Sequence, residues 1–196
     1  MTLIHFVRHG VHDQLQGRLC GRTPGILMGP AGLAQARRLA ERFERADIDA
    51  VVSSPLERTI QTAEPIAAAC GVPLAIEPAL IEIDFGSWTG ARFDDLDPDE
   101  HWRGWNAGRD QVRAPGGETM LEVQQRIARW LEDLPRRGAR TLVAVSHADV
   151  IKAAVAFALG LSLRDHDRFE IAPASITVLR VEPGSARLVS LNGDCS

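Results

Sequence analysis

The chain has 196 residues, a formal net charge of −4 and 45% hydrophobic residues, a length that suits one domain able to bury roughly 70% of its unfolded surface. The mild acidity offers no basic footprint for nucleic acid, and no apolar run approaches the length needed to span a membrane. Cys20, Cys70 and Cys195 are odd in number, widely spaced and without a C-x-x-C pair, which argues against a disulfide framework and a structural zinc site; with no basic n-region ahead of an apolar h-region, the expectation is a cytoplasmic protein.

From Leu3 to Val7 four of five residues are apolar, β-branched and aromatic ones among them, so the run predicts a buried strand. It ends in Arg8-His9-Gly10: a permanent cation, a titratable imidazole and a glycine that lets backbone or ligand come close. In open α/β sheets the loops at the carboxyl ends of strands line the ligand crevice, which makes this position a candidate site. A glycine-rich loop dotted with arginines, GRLCGRTPGILMGPAG, follows. Ala31–Arg45 carries Leu33, Ala36, Leu39, Ala40 and Phe43 at helical spacing and predicts an amphipathic helix. Asp49–Ser53 reads as a short strand, and in the stretch after it Ser54 is placed to cap a helix, Pro55 fits its first position and Gly71 ends it. Strand, loop, helix and strand in succession predict a parallel pairing of the first two strands.

Residues 72–90 hold a short extended piece and an irregular loop. Residues 94–117 are polar, carry Trp102 and Trp105, and break at Pro115-Gly116-Gly117; the span 84–117 is read as a cap over the site within a single domain, 1–196. Thr119–Arg137 is helical in pattern, Thr141–Val145 a strand, and Ala148–Gly160 a helix that Ser146 is able to cap. Ser175–Val181 and Arg187–Leu191 predict a closing hairpin through Pro183-Gly184. Strands alternating with helices give a three-layer α/β sandwich with a mostly parallel, mixed central sheet.

Two strand ends look alike, FVRHG and AVSHAD. Each sets a histidine just past an apolar strand, and His147 also begins a helix whose free N–H groups and dipole favour an anion. If the two strands are neighbours, His9 and His147 meet in one crevice beside Arg8, as a phosphate site requires.

The chain here resembles the histidine phosphatase superfamily, also called phosphoglycerate-mutase-like. The matching pieces are VRHG at 7–10, SSPLERTIQTAE at 53–64, LIEIDFGSWTG at 80–90, PGGE at 115–118 and VSHADVIKA at 145–153, in family order and over most of the chain. The resemblance implies that His9 is the nucleophile that takes the phosphoryl group, that Arg8 and Arg58 clamp its oxygens, and that His147 stabilises it from the far side, most strongly if protonated while His9 is neutral. It places the proton donor at Glu82, among Ile81, Ile83 and Phe85, where a raised pKa would suit an acid. On an extended segment Glu82 and Asp84 point the same way, so spacing alone does not choose between them, and whether Asp84 or Asp149 assists Glu82 stays open.

The chain also departs from the family. After R-H-G many members carry Glu-Thr and a nearby Asn, where this chain has Val11, His12 and Leu15; Cys20-Gly21 stands for Gln-Gly and Ala148-Asp149 for Gly-Gly. His12, Arg18 and Arg22 are therefore candidate substrate contacts. Hydrolysis of a small phosphorylated metabolite is the favoured reaction, with a phosphoglycerate-mutase-type phosphomutase as the alternative. Family mutases carry an Arg-Tyr-Tyr block and a lysine after the acid, and this chain has no tyrosine at all. A silent phospholigand-binding module is the third reading, against which stand the intact Arg8, His9, Arg58, Glu82 and His147. The implied mechanism needs no metal and no cofactor. His5, His9 and His12 lack metal-ligand spacing, and His101 and His166 read as solvated surface residues. A homodimer through a sheet edge or helix face would fit the sequence.

Overall fold

A computed structural model describes residues 1–15 and 17–194 of the chain, and there the apolar runs meet in a six-stranded sheet; Cys195 lies outside the described residues. The order along the sheet is β3 (Leu74–Ile76), β2 (Ala50–Ser53), β4 (Thr141–Ser146), β1 (Thr2–Arg8), β5 (Ile176–Glu182) and β6 (Ser185–Gly193). The first four strands run parallel, and β5 and β6 add an antiparallel hairpin. Contrary to the pairing predicted for the first two strands, β1 and β2 do not touch: β4 lies between them and pairs with both. The reason is burial. Leu142 to Ser146 are buried in succession, a pattern that belongs at the centre of a sheet covered on both faces.

Alternation along the strands sends Ile4, Phe6, Leu142 and Ala144 to one face and Val7, Val143 and Val145 to the other. The first face is covered by α5 (Met120–Asp133) and α6 (Ala148–Leu159), through Val123, Ile127, Val150 and Ala154. The second is covered by α1 (Pro30–Phe43) and α2 (Glu57–Cys70), through Leu39, Phe43, Ala63 and Ile66. The result is the three-layer α/β sandwich. Phe6 is fully buried, and truncating such a side chain costs about 3–5 kcal/mol, so the facing of the central strands is firmly set.

Two capping expectations give way to the site. Helix α2 begins at Glu57 behind an extended Leu56, and Ser54 does not cap it. Ser146 leaves α6 uncapped and donates instead to the Leu80 carbonyl at 2.7 Å. Gly71 closes α2 in the left-handed conformation as its type predicts. Helix α5 opens on a capping box between Thr119 and Glu122, a device that contributes about 1 kcal/mol, and ends earlier than its pattern suggested, with a 3₁₀ turn over Leu134–Arg136.

Residues 84–117 hold two short helices, α3 (Phe93–Leu96) and α4 (Glu100–Ala107). Leu96, Trp102, Trp105 and Ala114 are buried in the same apolar cluster as Ile4 and Phe6, so this polar-looking stretch is anchored to the core. Trp102 stacks on Trp105 and Trp88 meets both edge-on, with centroids 5.3 to 6.1 Å apart. Gly86 and Gly117 allow the chain to cross itself: a Cβ on Gly86, at φ +53, would fall 2.0 Å from the Pro115 carbonyl oxygen, and one on Gly117 would fall 2.1 Å from that of Asp84. Among the described residues no helix is long and apolar enough to cross a membrane.

Candidate active site

Because β1 and β4 are neighbours with Arg8 opposite Ser146, their two histidines leave the sheet side by side. The His9 amide donates to the Ser146 carbonyl at 3.0 Å, and the rings of His9 and His147 lie 5.3 Å apart. His9 Nδ1 is 2.8 Å from the Gly10 carbonyl oxygen. A carbonyl only accepts, so Nδ1 carries the hydrogen and Nε2 of the neutral ring keeps its lone pair. The turn is held in turn by Thr62, whose Oγ1 accepts from the Gly10 amide at 3.1 Å. A side chain at position 10 has no room: a Cβ would sit 2.7 Å from Met28 Sδ and 2.9 Å from the Gly32 carbonyl oxygen.

Arg58, in the first turn of α2, is 1% exposed. One terminal nitrogen donates to the Gly21 carbonyl at 2.7 Å and to His147 Nδ1 at 3.2 Å, while Nε and the other terminal nitrogen have no partner among the described residues. Guanidinium cannot accept, so His147 Nδ1 does, and its Nε2–H donates to Ser54 Oγ at 2.8 Å. Arg8 reaches the Ile171 carbonyl at 2.5 Å and leaves its own Nε unpartnered. Buried guanidinium donors without acceptors are an anion site in waiting. Burial, and then the charge of Arg58, hold both His9 and His147 well below the usual imidazole range. Both rings are thus neutral in this cationic pocket, so the protonated His147 beside a neutral His9 that would stabilise a phosphoryl group most strongly is not the state that this environment favours.

Glu82 and Asp84 part company. Glu82 turns inward, with Oε2 3.7 Å from His147 Nδ1 and Oε1 accepting from the Ile83 amide at 3.0 Å. Burial, and secondarily the charge of Asp149, push its carboxyl up to about 7. Asp84 instead accepts from the Gly86 amide at 2.8 Å and pairs with Arg22 at 3.3 Å. The kinked backbone between Phe85 and Gly86 gives that carboxylate a turn to stabilise, which extended spacing does not reveal.

His12 is buried, stacks on His9 at 5.4 Å and has an Nδ1 without a partner among the described residues; burial and Arg58 lower its pKa to about 4. Arg18 borders the same cavity and donates to the Gly90 carbonyl at 2.9 Å. Arg22 does not border it. Its guanidinium donates to the Glu82 carbonyl at 2.8 Å, to Asp84, and to Glu118 at 2.9 Å, so it braces the Glu82 segment. Glu118, from PGGE, completes the brace by accepting from the Asp84 amide at 3.0 Å and from Arg126 at 3.3 Å. Sequence reasoning gave no site role to Ser54, Thr62 or Glu118, though all three lie in motifs it singled out. His166 is buried, not solvated, because the turn over Leu163–Asp165 carries Leu163 into the core and takes His166 inward with it. His101 is exposed and rests edge-on against Trp88.

The cavity over His9 has a volume of about 140 Å³ and is bordered by Arg8, His12, Arg18, Cys20, Glu82 and Asp149 among others. A groove between α5, α6 and the β5–β6 turn lies apart from all of this chemistry.

A family model described as histidine phosphatase superfamily (branch 1) matches residues 4–194. Phosphoserine phosphatase 1 of Hydrogenobacter thermophilus is 32% identical over 190 residues, covering 94% of this chain and 90% of its own. A protein of Enterobacter sp. named "Probable phosphoglycerate mutase GpmB" is 34% identical over 206 residues, covering 100% of this chain and 94% of its own. Among solved structures, phosphoserine phosphatase from Entamoeba histolytica in complex with 3-phosphoglyceric acid superposes with a TM-score of 0.88 at 27% identity, covering 98% of both chains.

Proposed function

The chain belongs to the histidine phosphatase superfamily, and from that premise we propose that it hydrolyses a small phosphorylated metabolite through a phosphohistidine on His9. One observation carries the reading: the His9 Nδ1 contact to the Gly10 carbonyl leaves Nε2 with a free lone pair, in a pocket whose buried Arg58 has unpartnered donors. In the first step Nε2 attacks phosphorus, the P–N bond forms as the ester P–O bond breaks, and the leaving alkoxide takes the proton of Glu82. In the second, water attacks the phosphohistidine, Glu82 takes back a proton, the P–N bond breaks, and phosphate leaves with His9 restored.

Arg8 and Arg58 supply fixed positive charge to the transferring phosphoryl group, and the α6 N-terminus adds to it. Burial first, and then the charge of Arg58, keeps His147 neutral; a bound dianion offsets the cationic part of this and favours a proton on its Nδ1, from which it donates to a phosphoryl oxygen. His12 and Arg18 are the remaining contacts, and residues 84–117 serve as the cap of a single domain. Glu82, neutral below about pH 7, is the proton donor; Asp149 assists by its charge and Asp84 by holding the backbone turn.

The test is phosphate release from a panel of an aryl phosphate, sugar phosphates, phosphoserine, 3-phosphoglycerate and a nucleoside monophosphate, with His9→Ala in parallel. Release abolished in His9→Ala supports the reading. Isomerisation of 3-phosphoglycerate without release would replace it with the phosphomutase.

A further inference from the structure

A second cavity, of about 390 Å³, opens beside the first, and the two share Arg8, Leu19, Phe85, Phe93, Ala148 and Asp149. We propose that this chamber is a subsite for a carboxylate on the alcohol half of the substrate, and that Lys152 is the residue that recognises it. The proposal rests on the phosphomonoesterase reading above and narrows its substrate class.

Lys152 is the chain's only lysine. It sits four residues after Ala148 and three after Asp149, hence on the face of α6 that borders both cavities. It is 8% exposed, and the nearest carboxylate oxygen, on Glu170, is 3.8 Å away on a side chain that is itself 81% exposed. Its ammonium, which also lies 5.8 Å from the centre of the Phe169 ring, is held by no short hydrogen bond to a carboxylate among the described residues, and an anion arriving from the cavity supplies that partner. Two further orphans border the same space: the buried Nδ1 of His166, and the Nε of Arg109. Burial and the charges of Arg109 and Lys152 lower the His166 pKa, which leaves a neutral ring able to hydrogen-bond to an anion without charge of its own.

The acids of the chamber do not cancel this. Asp149 is held by Arg109 at 3.0 Å, and Asp167 and Glu170 are exposed at the rim. Phe85, Phe93, Trp102 and Trp105 line the same chamber, with Arg109 4.1 Å above the Trp105 ring. The ligand that fits has its phosphoryl group at His9, a short carbon spacer along the aromatic wall and a carboxylate at Lys152. A phosphomonoester of a cationic alcohol meets Lys152 and Arg109 as like charges.

3-Phosphoglycerate and glycerol 3-phosphate make the comparison, because they differ only in a carboxylate against a hydroxymethyl group. The wild type is expected to favour 3-phosphoglycerate by about tenfold or more in kcat/KM, with the difference in KM. Lys152→Met brings the ratio close to one, and Lys152→Arg, which keeps the cation, retains most of it. A wild-type ratio near one, or an undiminished ratio in Lys152→Met, overturns the subsite while phosphate release still supports hydrolysis. Equilibrium binding of the same two esters to His9→Ala, with and without Lys152→Met, reads the subsite without turnover. A preference for 3-phosphoglycerate that Lys152→Met removes supports the subsite even where the wild type releases no phosphate, and equal affinities overturn it.

Discussion

The Ser54 hydroxyl stands 2.8 Å from His147 Nε2, and because Arg58 donates to Nδ1 the hydrogen bond runs from the imidazole to the serine oxygen. Serine thus fixes which nitrogen of His147 faces Arg58 and Glu82. In Ser54→Ala the Nε2–H is buried without an acceptor, at a cost of about 1–3 kcal/mol. We expect kcat/KM to fall about 10- to 100-fold with the fold intact, measured by steady-state kinetics beside a thermal melt.

The Glu82 carboxyl, pushed up to about 7, predicts an alkaline limb in activity. Only its protonated form donates, so kcat/KM for alkyl phosphates declines as pH rises through about 7. His9, held well below the usual imidazole range, stays neutral and nucleophilic on the acid side. A pH profile of Glu82→Gln should lose the alkaline limb, and its rate loss should be larger for alkyl than for aryl esters, whose leaving groups need little help.

The same carboxyl links pH to stability. Its folded pKa is raised above the unfolded 4.5, so its contribution is intact below about 4.5 and is lost as pH rises through about 7. Glu82→Gln removes this penalty. Its Tm should exceed that of the wild type by several °C at about pH 8, and the gap should close towards about pH 4, as followed by calorimetry.

Arg22 distinguishes a brace from a substrate contact. Its bonds to the Glu82 carbonyl, Asp84 and Glu118 hold the segment that carries the acid. Arg22→Met should lower kcat for alkyl phosphates about tenfold with KM nearly unchanged, and should lower the Tm. A rise in KM alone would return Arg22 to the binding surface.

Strand ends were the most legible part of the site. Arg8-His9 and Ser146-His147 follow short apolar runs that read as strands, and the end of a strand is where an α/β sheet keeps its chemistry. The adjacency of β1 and β4 was conditional in the sequence, since the pairing joins segments about 140 residues apart. Ser54 and Ser146 looked like caps because a serine before a helix has that local use; their hydroxyls went to His147 and Leu80, which no local rule anticipates. Spacing alone left Glu82 and Asp84 unseparated, where the family resemblance chose Glu82, and the turn at Gly86 shows why they part; Arg22, a candidate substrate contact in the sequence, meets Glu118 from a distant turn that no local rule brings to it. His166 was misread because a polar neighbourhood in sequence says little about a side chain that one turn of 3₁₀ helix carries inward.

The most direct test of the account is to quench the enzyme in alkaline denaturant during turnover of a phosphomonoester labelled on phosphorus, and to map the label. An acid-labile, base-stable phosphoryl group on His9, absent from His9→Ala together with phosphate release, is the result predicted. Undiminished phosphate release from His9→Ala, or a label on another residue, would contradict it.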